Sequence, residues 1–224
     1  MSYNKKSHLR QNIDAIKLSF QLDKEKRQAT PEEAKILSAY SGFGGIKAVL
    51  NAVETPEDIN KWAKSETDLF PMIQELHGVL RDNTESPEQY KQYVNSLKTS
   101  ILSAFYTPKP VVDVLTNSIS GIGINPLRVL EPSAGSGAFI SSLKETLPES
   151  QITGFEKDLI TGKILSHLHP DEQIRIEGYE KMEERYLNHF DVIASNIPFG
   201  DVAVFDPLFA NHKNQSVSQG GGGL

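Results

Sequence analysis

From residue 105 onward the apolar pattern of the chain keeps changing its period, and this alternation restricts the fold more than any other feature. Short runs at 128–131, 151–156, 173–177 and 190–195 read as strands. The first two are separated by a helix-like stretch at 138–146, and the second and third by another at 159–168. Strands that alternate with helices make a parallel sheet, because parallel neighbours need a long crossover between them. The expected fold class is therefore α/β, with a partial doubly wound sheet. Just upstream, Thr107 and Pro108 are placed to cap a helix containing Val111, Val112, Leu115 and Ile119, after which residues 121–126 turn the chain.

The first hundred residues follow a different grammar. Leu9, Ile13, Ile16 and Phe20 fall at helical spacing, and Tyr90, Tyr93, Leu97 and Ile101 repeat the pattern. Three helix starts share one design: Thr30-Pro31-Glu32-Glu33, Thr55-Pro56-Glu57-Asp58 and Ser86-Pro87-Glu88-Gln89 each offer a hydroxyl cap, a proline at the first helical position and a polar acceptor at the third. Between them, YSGFGG (residues 40–45) matches neither the P-loop nor the dinucleotide pattern and reads as a tight turn between helices. The expected organisation is a helical region over 1–103, a sheet-bearing domain over 104–210 and a disordered tail over 211–224, whose glycine-rich end holds no core formers.

The 224 residues include no cysteine, which excludes disulfides, thiolate metal sites and a cysteine nucleophile. No apolar run approaches the length of a membrane span, and no apolar segment follows the N-terminal lysines, so the chain reads as cytoplasmic. The formal net charge is −6. It is uneven: Lys5, Lys6, Arg10, Lys17, Lys24, Lys26 and Arg27 form a basic arm that either touches phosphates or simply keeps a helix face wet.

The first strand runs into VLEPSAGSGAF, where Gly135 and Gly137 let the backbone turn into a helix N-terminus. In an open parallel sheet, nucleotide-like ligands lie outside the carboxyl ends of the strands at such a turn. The second strand runs into GFEKD, and Glu156 lies at the separation from Gly135 typical of an acid that reaches ribose hydroxyls. Glu131 at the mouth of the turn would repel a pyrophosphate but suits an ammonium, so S-adenosylmethionine fits better than a dinucleotide. The fourth strand ends in DVIASNIPFG. There the Asn196 side-chain oxygen and the Ile197 carbonyl can each accept an N–H of a planar exocyclic amine and localise its lone pair. Pro198 restrains Ile197, and Phe199 offers a face for a flipped-out base. His167 and His169 lack an acidic partner at ligand spacing, so no metal site is expected.

The ordered set AFYTPKPVVDVL, VLEPSAGSGAF, GFEKD and DVIASNIPFG resembles the amino-methyltransferases that modify N6 of adenine in DNA. With YSGFGG and LRQNIDAIKL upstream, it is similar to the N-terminal part of large methylase–helicase proteins of phages and conjugative elements. The motif match covers about residues 104–200. The resemblance implies a Rossmann-like methyltransferase domain. Tyr106, Thr107 and Pro108 would hold the methionine end of S-adenosylmethionine, with Glu131, Ala134, Gly135 and Gly137 around it. Glu156 would take the ribose, and Asn196, Ile197, Pro198 and Phe199 would form the catalytic tetrapeptide acting on a flipped adenine in DNA.

Two positions depart from the family pattern. Tyr179 stands where relatives often place an aspartate beside the cofactor adenine, with Glu180 as a substitute, and Ile197 replaces the usual proline. A complete fold of this type needs about three more strands, so the chain is expected to be C-terminally truncated. Its fourth strand should lie beside the first with an open edge, seeking either the missing segment or another copy of the chain. An RNA adenine or a protein glutamine amide poses the same lone-pair problem, and a non-catalytic binding fragment is a third reading.

Overall fold

The computed structural model describes residues 4–52, 55–103 and 107–196. The helical part begins with α1 (Lys5–Glu25), α2 (Pro31–Ser38), α3 (Phe70–Asp82) and α4 (Pro87–Ser103), with short 3-10 turns between α2 and α3. Two of the three expected caps close as full boxes. Thr30 accepts from the Glu33 N–H while Glu33 reaches back to the Thr30 N–H, and Thr55 pairs with Asp58 in the same way, opening a 3-10 turn. At the third, Ser86 caps the Gln89 N–H, but the Gln89 side chain accepts from Glu85 N–H instead.

YSGFGG is a packed turn. Tyr40 and Phe43 are buried, and Gly42 and Gly45 take positive φ values of 72° and 79°. The buried Asn12 amide fastens it by donating to the Gly42 carbonyl and accepting from Ser41 N–H.

The sheet region follows with α5 (Lys109–Gly121), β1 (Arg128–Glu131), α6 (Ala138–Thr146), β2 (Gln151–Phe155), α7 (Leu159–Leu168), β3 (Gln173–Arg175) and β4 (Val192–Ile193). All pairings are parallel and the order is β3-β2-β1-β4. The chain thus builds outward from β1 in one direction and then returns to its other side, which makes a switch point between β1 and β4. The bounds of α6 and α7 agree with the sequence reading, whereas β3 and β4 are shorter than expected. Beyond β3, the Ile176 side chain turns onto α7 at Gly162, where a Cβ would lie 2.8 Å from it. Before β4, the Asp191 carboxylate takes the Leu127 and Arg128 N–H groups, each at 2.9 Å.

Two cores result, and α7 belongs to both. The helical core contains Leu9, Ile13, Ile73, Leu76, Tyr93 and Leu97 together with Ile160 and Ile164 of α7. The sheet core contains Val112, Val129, Ile140, Leu143 and Ile152 together with Leu165 of α7. On the outside, Val111, Val114 and Leu115 of α5 and Ile193 of β4 are exposed. Among the described residues no helix is long and apolar enough to cross a membrane.

Because one helix serves both cores, Ile164→Ala should destabilise the chain by about 2–5 kcal/mol and shift one shared transition. The sole tryptophan, Trp62, lies in the helical core, so its fluorescence should melt together with far-ultraviolet dichroism. Two separate midpoints would contradict this.

Candidate functional site

The carboxyl ends of β1, β2 and β4 lie on one side of the sheet, as parallel pairing requires. Glu131 is the last residue of β1, and the turn that follows needs its glycines: Gly135 has φ 55° and Gly137 has φ 88°. A Cβ on Gly137 would also sit 2.5 Å from Leu165 Cδ1 and 3.0 Å from His169 Nε2, side-chain ends that would have to shift to admit it. The turn is stitched to the end of β2. Ala134 N–H donates to the Phe155 carbonyl at 2.8 Å, and Gly135 N–H donates to Glu156 Oε2 at 2.8 Å. Glu156 Oε1 accepts from Asp158 N–H at 2.6 Å.

Glu131 is buried and Glu156 half-buried, and loss of water around each pushes its pKa up to about 7. For Glu156 the two backbone N–H bonds offset this only in part, and the neighbouring charges of Asp158 and Glu131 push the same way. Glu131 is 1% exposed. Its Oε1 accepts from Ser133 N–H at 2.9 Å. Its Oε2 has no hydrogen-bond partner among the described residues, and neither has the buried Ser195 Oγ, which faces the same carboxylate without closing a bond.

Asn196, three residues past β4, donates from Nδ2 to Thr107 Oγ1 at 2.8 Å, joining positions 89 residues apart. Thr107 is thereby engaged across the site and does not cap α5, whose N-cap residue is Pro108 with no side-chain hydrogen bond. This corrects the capping role expected from sequence. The Asn196 Oδ1 makes no hydrogen bond among the described residues. Glu180 lies beside the end of β2, its Oε1 3.2 Å from Lys157 Nζ, and Tyr179 packs edge-on against Phe155. Tyr106, Ile197, Pro198 and Phe199 lie outside the described residues.

Sequence reasoning named Glu131, Glu156 and Asn196 but passed over two groups. Ser195 is one. The other is Asp158, buried at the N-cap of α7, where it accepts from Thr161 N–H at 2.7 Å and burial raises its pKa. Its signal was present as an aspartate immediately before a helical run. Elsewhere, His167 pairs with Asp23 at 2.9 Å, and no cluster of three potential metal ligands occurs among the described residues. A concavity of about 560 Å3 lies at the start of β3, away from these groups, and Arg175 and Arg185 on its wall are already paired with Glu183.

No family model matches the chain. Over 101 residues, 44% of its length, it is 34% identical to the "Defense against restriction protein B" of Escherichia phage P1, of which that stretch is 4%. Over 62 residues, 28% of its length, it is 36% identical to the type II methyltransferase M.XamI of Xanthomonas campestris pv. amaranthicola, covering 12% of that protein. The chain thus spans a small part of both relatives. A methyltransferase subunit of a type I restriction-modification system from Streptococcus thermophilus superposes with a TM-score of 0.42 at 13% identity, over 95% of this chain and 61% of that one.

The raised Glu131 predicts a specific pH dependence. A carboxyl whose folded pKa exceeds its unfolded value holds extra protons when folded, so its contribution falls as pH rises from about 4.5 to about 7. Buried His77 and half-buried His8 and His169, whose pKa values are lowered, act in the opposite sense below about 6.5, so the effect is read as a difference. Glu131→Gln should stabilise the chain by on the order of 2–3 kcal/mol at pH 7.5 and leave it unchanged at pH 4.5, in urea denaturation.

Proposed function

We propose that this chain carries an S-adenosylmethionine-dependent methyltransferase site, built on a Rossmann-like doubly wound sheet, that acts on N6 of adenine in DNA. The observation that carries the reading is the pair of buried atoms Glu131 Oε2 and Ser195 Oγ, near one another past the ends of β1 and β4 and without a closed hydrogen bond among the described residues. Buried polar atoms normally find partners, and an ammonium would satisfy both and return Glu131 to its ionised form. When bound, S-adenosylmethionine supplies a methyl group on a positively charged sulfur.

The protein's own groups do the rest. Each Glu156 oxygen uses one lone pair on a backbone N–H, which leaves two acceptor positions for the ribose hydroxyls. Gly135 and Gly137 keep the turn clear of side chains, and Thr107 and Pro108 border the methionine end. Thr107 fixes the Asn196 amide by its nitrogen and turns Oδ1 outward, where it can accept an N–H of the target amine. A nitrogen held in this way is pyramidal, with its lone pair aimed at the methyl. In this reading Ile197 adds a second acceptor, Pro198 restrains it and Phe199 stacks on the flipped base. Tyr106 and Glu180 flank the cofactor, residues 104–210 form the catalytic domain, and 1–103 and 211–224 are the helical region and tail.

The similarity to a type II methyltransferase supports the methyl-transfer class, and the tetrapeptide resemblance supports adenine. The basic arm gives DNA binding no support. Lys5, Lys6, Arg10, Lys17 and Arg27 are engaged with Glu66, Asp68, Glu75 and Glu33 of the chain itself.

Calorimetric titration with S-adenosylmethionine, followed by transfer of labelled methyl to DNA, RNA and protein, tests the proposal. Glu156→Ala should weaken cofactor binding by roughly 1.5–3 kcal/mol. Asn196→Ala should lower methyl transfer by about two to three orders of magnitude while sparing cofactor affinity. Equal loss of both would assign Asn196 a structural role, and label on RNA or glutamine would replace DNA as substrate.

A further inference from the structure

The helical region reaches the candidate cofactor site through one buried hydroxyl. Ser96, on α4, is 5% exposed. Its Oγ donates to Asp158 Oδ2 at 2.6 Å and accepts from Ile160 N–H at 3.0 Å. Asp158 in turn uses Oδ1 for Thr161 N–H and its own N–H for Glu156 Oε1. The first turn of α7 is therefore capped jointly, by Asp158 from within and by Ser96 from a helix more than 60 residues earlier. Tyr40 of the YSGFGG turn adds a contact to the same place, its hydroxyl 3.3 Å from Thr161 Oγ1.

This arrangement does more than end a helix. Glu156 is aimed by two backbone N–H groups, one from the glycine turn and one from Asp158, so its direction is only as fixed as the backbone at 156–158. The sheet holds only the first residue of that segment, where Glu156 N–H donates to the Arg175 carbonyl at 2.9 Å; Lys157 and Asp158 lie beyond the end of β2 at Phe155. Without the Ser96 hydroxyl, a buried carboxylate oxygen and the Ile160 N–H would both lose a partner at once. The segment would relax toward water to recover hydrogen bonds.

We propose that Ser96 is a positioning residue for cofactor binding: by fixing Asp158 and the start of α7, it holds the Glu156 carboxylate at the angle that meets the ribose hydroxyls. The inference rests on the assignment of Glu156 to the ribose, and it gives the helical region a direct part in building the site.

A double-mutant cycle tests it by titrating the full chain with S-adenosylmethionine. Ser96→Ala should weaken binding by about three- to tenfold, and so should Asp158→Ala, which breaks the link from the other side. Ser96→Thr keeps the hydroxyl and should restore affinity. In the Glu156→Gln background, Ser96→Ala should cost almost nothing more, because there is no longer a carboxylate to aim. A merely structural loss would persist in that background. An affinity unchanged by Ser96→Ala, or a loss fully additive with Glu156→Gln, overturns the positioning role alone. No binding by the unsubstituted chain, or an affinity unchanged in Glu156→Gln, overturns the cofactor assignment and the inference with it. If Ser96→Ala fails to fold, as judged by circular dichroism, Asp158→Ala and Ser96→Thr decide the question by the same criteria.

Discussion

The Glu156 carboxylate spanning two backbone N–H groups is the joint on which the sheet region depends. One N–H belongs to the glycine turn after β1 and the other to the start of α7, so a single side chain ties together the two loops that leave the sheet at its carboxyl end. Its burial works against its charge. An ionised carboxylate in that position is tolerated only because both oxygens are met by donors that cannot swing away. Glu131, with one oxygen met and one not, is the less compensated neighbour, and the contrast marks where the structure has left polar capacity unused.

Much of this was legible in the sequence, for a local reason. The ends of α6 and α7 are set by Gly137 and Asp158 in front and by Pro148 and Pro170 behind, all within a few positions of the helix they bound. The strand ends were not, because a strand stops where its partner stops. Among the described residues β4 has a neighbour only along Val129 and Leu130, and β3 only along part of β2; composition at 176–177 or 190–191 carries no record of that. The same limit hid the pairing of Asn196 with Thr107. Each residue stood out in its own motif, but their contact is a property of the β1–β4 pairing and the placement of α5.

The double service of α7 was hidden too. Its apolar residues read simply as one face of a helix, yet Ile160 and Ile164 point to the helical core and Leu165 to the sheet core. Gly162 permits this by letting Ile176 close against the helix.

Sharing α7 also sets an order of events during synthesis. The helices up to Ser103 emerge first, yet their core lacks Ile160 and Ile164, so one wall stays open until the ribosome has added some sixty residues more. At roughly 5–20 residues per second this interval is on the order of 3–12 s. Throughout it the nascent helices present apolar side chains that have no core to enter. Asn196 arrives later still, so the site can be assembled only after the helical core has had the chance to close.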